Sequence, residues 1–108
     1  MSRFPSRAAI REYVLGALPF VYPWYDDVAE TTDGLTWWDP IDEAQVGVQW
    51  SEIQWTIHDL GVGNKGHGDP ARANSWLLLA GLFDEVDYDS DSADVVIQRA
   101  AFGEVRYA

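Results

Sequence analysis

Six carboxylates fall within eleven residues of one stretch of this chain: Asp84, Glu85, Asp87, Asp89, Asp91 and Asp94. Val86 and Tyr88 alternate with the acids, and Val95 and Ile97 follow on the far side of Asp89–Asp94, a pattern that predicts a hairpin with an acidic tip. Alternate residues of a strand share one face about 6.6 Å apart, and a duplex presents a phosphate about every 3.4 Å along each strand. A rigid acidic hairpin would therefore fit a basic groove built for DNA or RNA.

Large rings adjoin acids at two further places. Trp24-Tyr25 precedes Asp26-Asp27, and Trp37-Trp38 precedes Asp39-Pro40. Tryptophan and tyrosine are favoured anchors of protein interfaces, so Trp24, Trp37 and Trp38 with Asp26, Asp27 and Asp39 join the candidate contact residues. Neighbours on a strand point to opposite faces, so Trp37 and Trp38 cannot both be core. Trp50, Trp55 and Trp76 lie on periodic apolar faces and are expected inside.

The residues that would support catalysis or metal binding form weaker patterns. Gly61-Val-Gly-Asn-Lys-Gly66 matches a dinucleotide fingerprint, with Asp87 about twenty residues on. However, the expected helix opens only at Asp69, and the chain is short for a doubly wound sheet. Asp87-Tyr-Asp-Ser-Asp91 starts like an EF-hand loop, but Ser92 stands at its glycine position and Gln98 at its terminal glutamate. His58-Asp59 and His67-x-Asp69 flank one loop without the usual ligand spacing of a zinc site. There is no cysteine, and no serine or threonine has a histidine at informative spacing. The expectation is a non-enzymatic protein with no cofactor and no metal.

The 108 residues are enough for one domain, and 47% hydrophobic residues with six tryptophans supply a core. The net charge of −11, from 18 acids against 7 bases, disfavours contact with nucleic acid or anionic membrane and favours a basic protein surface. Residues 1–11 hold Arg3, Arg7 and Arg11 and no acid. On a helix, Arg7 and Arg11 share a face, and this basic stripe is the candidate for self-association. The apolar run Tyr13–Tyr25 is broken by Gly16, Pro19 and Pro23 and is too short to span a bilayer. A cytoplasmic, unanchored protein is expected, in keeping with the lack of cysteine.

The elements that must position these residues are predicted as an α+β domain, with two helices, about 6–18 and 69–83, packed on a mainly antiparallel sheet. Ser6 caps the first helix, which buries Ile10, Tyr13, Val14, Ala17 and Leu18 and stops at Pro19. Residues 19–34 read as irregular, and Leu35–Trp38 as a short strand. In Gln45–His58, Val46, Val48 and Trp50 alternate, as do Ile53, Trp55 and Ile57. Strands are favoured there over a helix opened by a Ser51–Gln54 capping box. The helix opened by Asp69-Pro70 buries Ala73, Trp76, Leu77 and Ala80. Glu104–Tyr107 is a possible last strand.

Two functions from different classes follow. The first is an inhibitor that blocks a nuclease, CRISPR effector or other nucleic-acid-binding protein by charge mimicry. In composition the chain is similar to small acidic phage and mobile-element proteins that oppose restriction or CRISPR systems, and to immunity proteins and antitoxins. The second is a virion subunit of head–tail joining or tail-terminator type. In that role the arginine stripe of one copy would dock on the acidic body of the next and close a homo-oligomeric ring.

Overall fold

The computed structural model describes residues 6–17, 19–62 and 70–107. Arg3, the glycine-rich loop from Gly63 to Gly68 with Lys65 and His67, and the expected cap Asp69 lie outside the described residues. The chain is α+β, as its patterning predicts, with four α-helices and one three-stranded antiparallel sheet among the described residues. None of the described helices is long and apolar enough to cross a membrane.

The first helix, α1 (Arg7–Gly16), starts where its cap predicts, with Ser6 Oγ accepting from the Ala9 amide at 3.1 Å. It buries Ile10, Tyr13 and Val14, one face at helical spacing. Pro19 then opens a single 3₁₀ turn, Pro19–Val21.

The sheet runs in the order β1 (Asp26–Glu30), β2 (Gly34–Asp39), β3 (Ala44–Gln49). Leu35, Trp37 and Asp39 alternate inward from the central strand, and Trp38 faces out, 37% exposed. The expected split of the two tryptophans therefore holds. The strand Asp26–Glu30 replaces the irregular chain expected there. Its sequence is poor in strand formers, and it stays on the sheet edge through pairing with β2, with a bulge between Asp26 and Ala29. Gly34 is required at the start of β2, because an added Cβ would lie 1.9 Å from the Val48 carbonyl oxygen.

Of Gln45–His58, expected as strands, the first part is strand β3 and the rest is helix. Strand β3 passes directly into α2 (Trp50–Gly61) at the cap residue Gln49, whose amide donates to Glu52 Oε1 at 2.9 Å. The capping interaction lies two residues before the Ser51–Gln54 pair considered from the sequence. Trp50, Ile53, Ile57 and Leu60 are buried at a spacing of three and four, so the helical period prevails over the alternation of Ile53, Trp55 and Ile57. Trp55, expected in the core, is 58% exposed as a consequence. In α3 (Pro70–Ala80) the buried face is Ala71, Asn74, Ser75 and Leu78, whereas Trp76 and Leu77 are half-buried and Ala80 is exposed. The helix is rotated from its expected orientation so that its small residues meet α2. A Cβ on Gly61 would lie 2.8 Å from the Ser75 carbonyl carbon and oxygen.

The acidic hairpin is also absent. A 3₁₀ turn, Phe83–Glu85, leads through an irregular connector to α4 (Ser90–Phe102). Asp89 Oδ1 accepts from the Asp91 amide at 3.1 Å as N-cap, and Asp91 in the first turn complements the helix dipole. Ala93, Val96 and Ile97 are buried together, and Gly103 closes the helix in the left-handed region at φ 77°. Residues 104–107, expected as a strand, form a tail without strand pairing.

Candidate partner-binding surface

The 3₁₀ turn, the irregular connector and α4 remove the regular carboxylate spacing that a strand would impose. Asp84, Glu85, Asp87 and Asp91 are exposed, Asp89 is half-buried at its cap, and Asp94 is buried. Asp94 points into the core from α4 and accepts from Trp24 Nε1 at 2.9 Å, Tyr25 Oη at 2.5 Å and Gln98 Nε2 at 2.9 Å. Burial raises its pKa above the ordinary carboxylate value, against the opposing effect of these three donors. Tyr25 is raised as well, by burial and by the neighbouring Asp94 charge.

Gln98 extends this network to the tail. Its Oε1 accepts from the amides of Arg106 and Tyr107, each at 2.8 Å, and its Nε2 also donates to the Tyr107 carbonyl at 2.9 Å. The Tyr107 hydroxyl donates to Asp39, whose other oxygen accepts from the amides of Ile41 and Asp42. Burial and the bond to Asp39 push the Tyr107 hydroxyl up to about 12. The Tyr107 ring stacks on Trp24 at 5.4 Å, and Tyr22 stacks on Trp24 at 4.9 Å. Arg106 lies 4.1 Å over the Phe102 ring and 3.4 Å from Asp42. Trp24, Trp37, Asp39 and Asp94, all candidate contacts from the sequence, are therefore buried. They hold the tail and the sheet to α4 and cannot meet a partner.

A second network fixes the connector. Asn74 bonds the Asp87 backbone in both directions, from Nδ2 to the carbonyl at 2.8 Å and from the amide to Oδ1 at 3.0 Å. The Ser92 hydroxyl donates to the Asp89 carbonyl at 2.9 Å, so the 2.8 Å contact with Tyr13 uses the tyrosine proton. Burial pushes the Tyr13 hydroxyl up to about 12. Ser90 donates to the Ala17 carbonyl at 2.7 Å. The backbone that bears the exposed acids is thus tied to both α1 and α3.

What remains at the surface is an acidic patch with apolar members. Asp84, Glu85 and Asp87 flank Leu82, 42% exposed, and Tyr88, 44% exposed. Across from them on α1, Glu12 Oε1 lies 3.4 Å from the Tyr88 hydroxyl. Among the described residues, none of these four carboxylates is in a salt bridge. Sequence reasoning missed Glu12, Leu82 and Tyr88 as a group, because only the fold brings α1 to the connector. Asp26, Asp27 and Trp38 are exposed elsewhere, on β1 and β2.

The arginine stripe is partly engaged within the chain. Arg11 forms a two-pronged pair with Glu30 at 2.6 and 2.8 Å, which raises the arginine and lowers the glutamate pKa. Arg7 is exposed. His58 Nδ1 stands 3.9 Å from Asp59 Oδ1, whereas the other half of the histidine–aspartate set, His67 and Asp69, lies outside the described residues. No cluster of three or more metal-ligating side chains occurs among the described residues. Comparison with protein-family models, curated proteins and solved structures finds no match.

Proposed function

We propose that the protein is a non-catalytic acidic binding protein that docks on a basic surface of a nucleic-acid-binding protein, in the cytoplasm, and so keeps nucleic acid from that surface. The observation that carries this reading is the patch on the α3–α4 connector. It joins Asp84, Glu85 and Asp87, without cationic partners among the described residues, to exposed Leu82 and Tyr88 on a backbone anchored by Asn74 and Ser92. Charge draws the partner in and apolar contact retains it. The hairpin spacing is not part of the proposal; a fixed patch of carboxylates takes its place.

The test is affinity capture from a lysate of the source cells, using the wild type and the triple variant D84N/E85Q/D87N. The wild type is expected to retain a basic protein that duplex DNA displaces and that about 0.5 M salt releases. The triple variant is expected to lose it. Equal retention by both proteins, or indifference to DNA, refutes the proposal.

A further inference from the structure

One face of α1 closes a cleft of about 180 Å³ lined by Ala8, Ala9, Glu12, Leu78, Val86 and Tyr88. At about 30 Å³ per water that is the space of roughly six waters, suited to one long side chain. Its walls are apolar, and its polar groups are the Glu12 carboxylate and the Tyr88 hydroxyl. The Tyr88 ring is set in place by α1: a Cβ on Gly16 would lie 2.9 Å from its Cδ2 atom. Tyr13 meets it edge-on at 6.4 Å. The ring is held yet 44% exposed, in the field of Glu12 and Asp84.

We propose that this cleft seats an arginine side chain of the basic partner, its stem against Leu78 and Val86 and its guanidinium against Glu12 and the Tyr88 ring. The inference rests on the basic-partner reading above and names the residue by which that partner is held. An apolar side chain would fill the cleft but would leave the Glu12 carboxylate with only its long 3.4 Å contact from the Tyr88 hydroxyl. An ammonium would satisfy the charge without the planar stacking that a tyrosine face offers a guanidinium. The aliphatic stem suits the apolar walls, as long basic side chains commonly cover such surface.

The test is backbone-amide NMR titration of the full chain with a blocked Gly-Gly-Arg-Gly-Gly peptide, beside peptides with lysine or norleucine at the centre. The arginine peptide is expected to move the amides of Ala8, Ala9, Glu12, Val86 and Tyr88 in a saturable way. It should bind about threefold more tightly than the lysine peptide, and norleucine should not saturate. Tyr88→Leu and Glu12→Gln should each weaken arginine binding by about threefold or more. Tyr88→Phe, which keeps the ring, should stay within about twofold. Equal binding of arginine and lysine, or indifference to Tyr88→Leu, overturns the arginine seat. Saturable shifts at Asp84, Glu85 and Asp87 that leave Ala8, Ala9 and Glu12 unmoved also overturn it while leaving the basic-partner reading intact. No shift at any acidic residue counts against both.

Discussion

Replacing Gln98 with leucine should release the C-terminal tail while leaving the core folded. The amide of Gln98 is fully buried and uses its whole hydrogen-bonding capacity: both N–H groups and both lone pairs of the oxygen are engaged. A typical intramolecular hydrogen bond is worth a net 0.5–1.5 kcal/mol or so. Three of the four partners are backbone groups of Arg106 and Tyr107, which regain water once the tail leaves, so their loss costs only that net amount. The fourth, Asp94 Oδ2, stays buried without its donor, which costs about 1–3 kcal/mol. Burying leucine in place of an amide returns about 1–2 kcal/mol. The expected destabilisation, three net bonds and one orphaned acceptor less the gain from leucine, is therefore about 1–6 kcal/mol and centred near 3, a large part of the roughly 5–15 kcal/mol of a domain this size.

Urea unfolding followed by tryptophan fluorescence measures the loss, and amide hydrogen exchange at Arg106 and Tyr107 reports the tail itself. In the wild type both amides are expected to be protected; in the variant they should exchange as freely as exposed chain. Tyr107→Phe is the companion experiment, because it removes only the hydroxyl donated to Asp39 and leaves the Gln98 clamp. It should cost about 1–2 kcal/mol with the amides still protected. A Gln98→Leu protein that stays within about 0.5 kcal/mol of wild type, with protected tail amides, refutes the clamp. The Trp24 stack would then hold the tail.

Two further substitutions test the core. Asp94→Asn should cost about 1–2 kcal/mol at neutral pH, because the asparagine amide must face one of three donors. It should also remove a pH dependence. A folded-state pKa raised above the ordinary 3.8 contributes stability that is full below 3.8 and is lost as pH rises through the raised value. The advantage of the wild type over Asp94→Asn, read from urea midpoints, should accordingly grow as pH falls from neutral toward about 4; a constant difference sinks the assignment. Gly61→Ala should destabilise by about 1–2 kcal/mol, because backbone at Ser75 cannot yield to the new methyl. Alanine is the better helix former by about 1 kcal/mol, so a raised melting temperature would contradict the close α2–α3 crossing.

The capped helices were the most legible elements. Ser6 with an apolar stripe marks α1, and Pro70 marks the start of α3, because local chemistry decides both ends. The alternation of Ile53, Trp55 and Ile57 misled, since three residues at period two also sit within a helix whose inward face is Trp50, Ile53, Ile57 and Leu60. Only the core reveals that Trp55 faces away. The run from Asp89 to Ile97 carried its own correction: an aspartate cap, an acid in the first turn and a glycine stop at Gly103 are helix punctuation. Counting carboxylates as a charge pattern hid that these same acids are capping groups. The strand Asp26–Glu30 was not legible because its strand form comes from β2 and not from its own residues.

The aromatic residues have a role different from the interface role the sequence suggests. In a chain with seven basic residues against eighteen acids, a buried carboxylate has few cations to meet it. Among the described residues, Asp94 is met by the Trp24 indole, the Tyr25 hydroxyl and an amide, and Asp39 by the Tyr107 hydroxyl and two backbone amides. Aromatic N–H and O–H groups here take the place that arginine holds in other cores, and they bring their apolar area into the same core. None of these bonds joins neighbours in sequence: Trp24 and Tyr25 reach Asp94 while Asp26 and Asp27 stay exposed, and Asp39 is met by Tyr107, so the pairing of rings with acids is made by the fold. Among the described residues, Asp84 and Glu85 are exposed carboxylates that meet no such donor, and Glu12 is offered only the long contact from Tyr88. Tyr88, 44% exposed on the same connector, stands beside them, and it is there that the proposed arginine of a partner would complete the pairing.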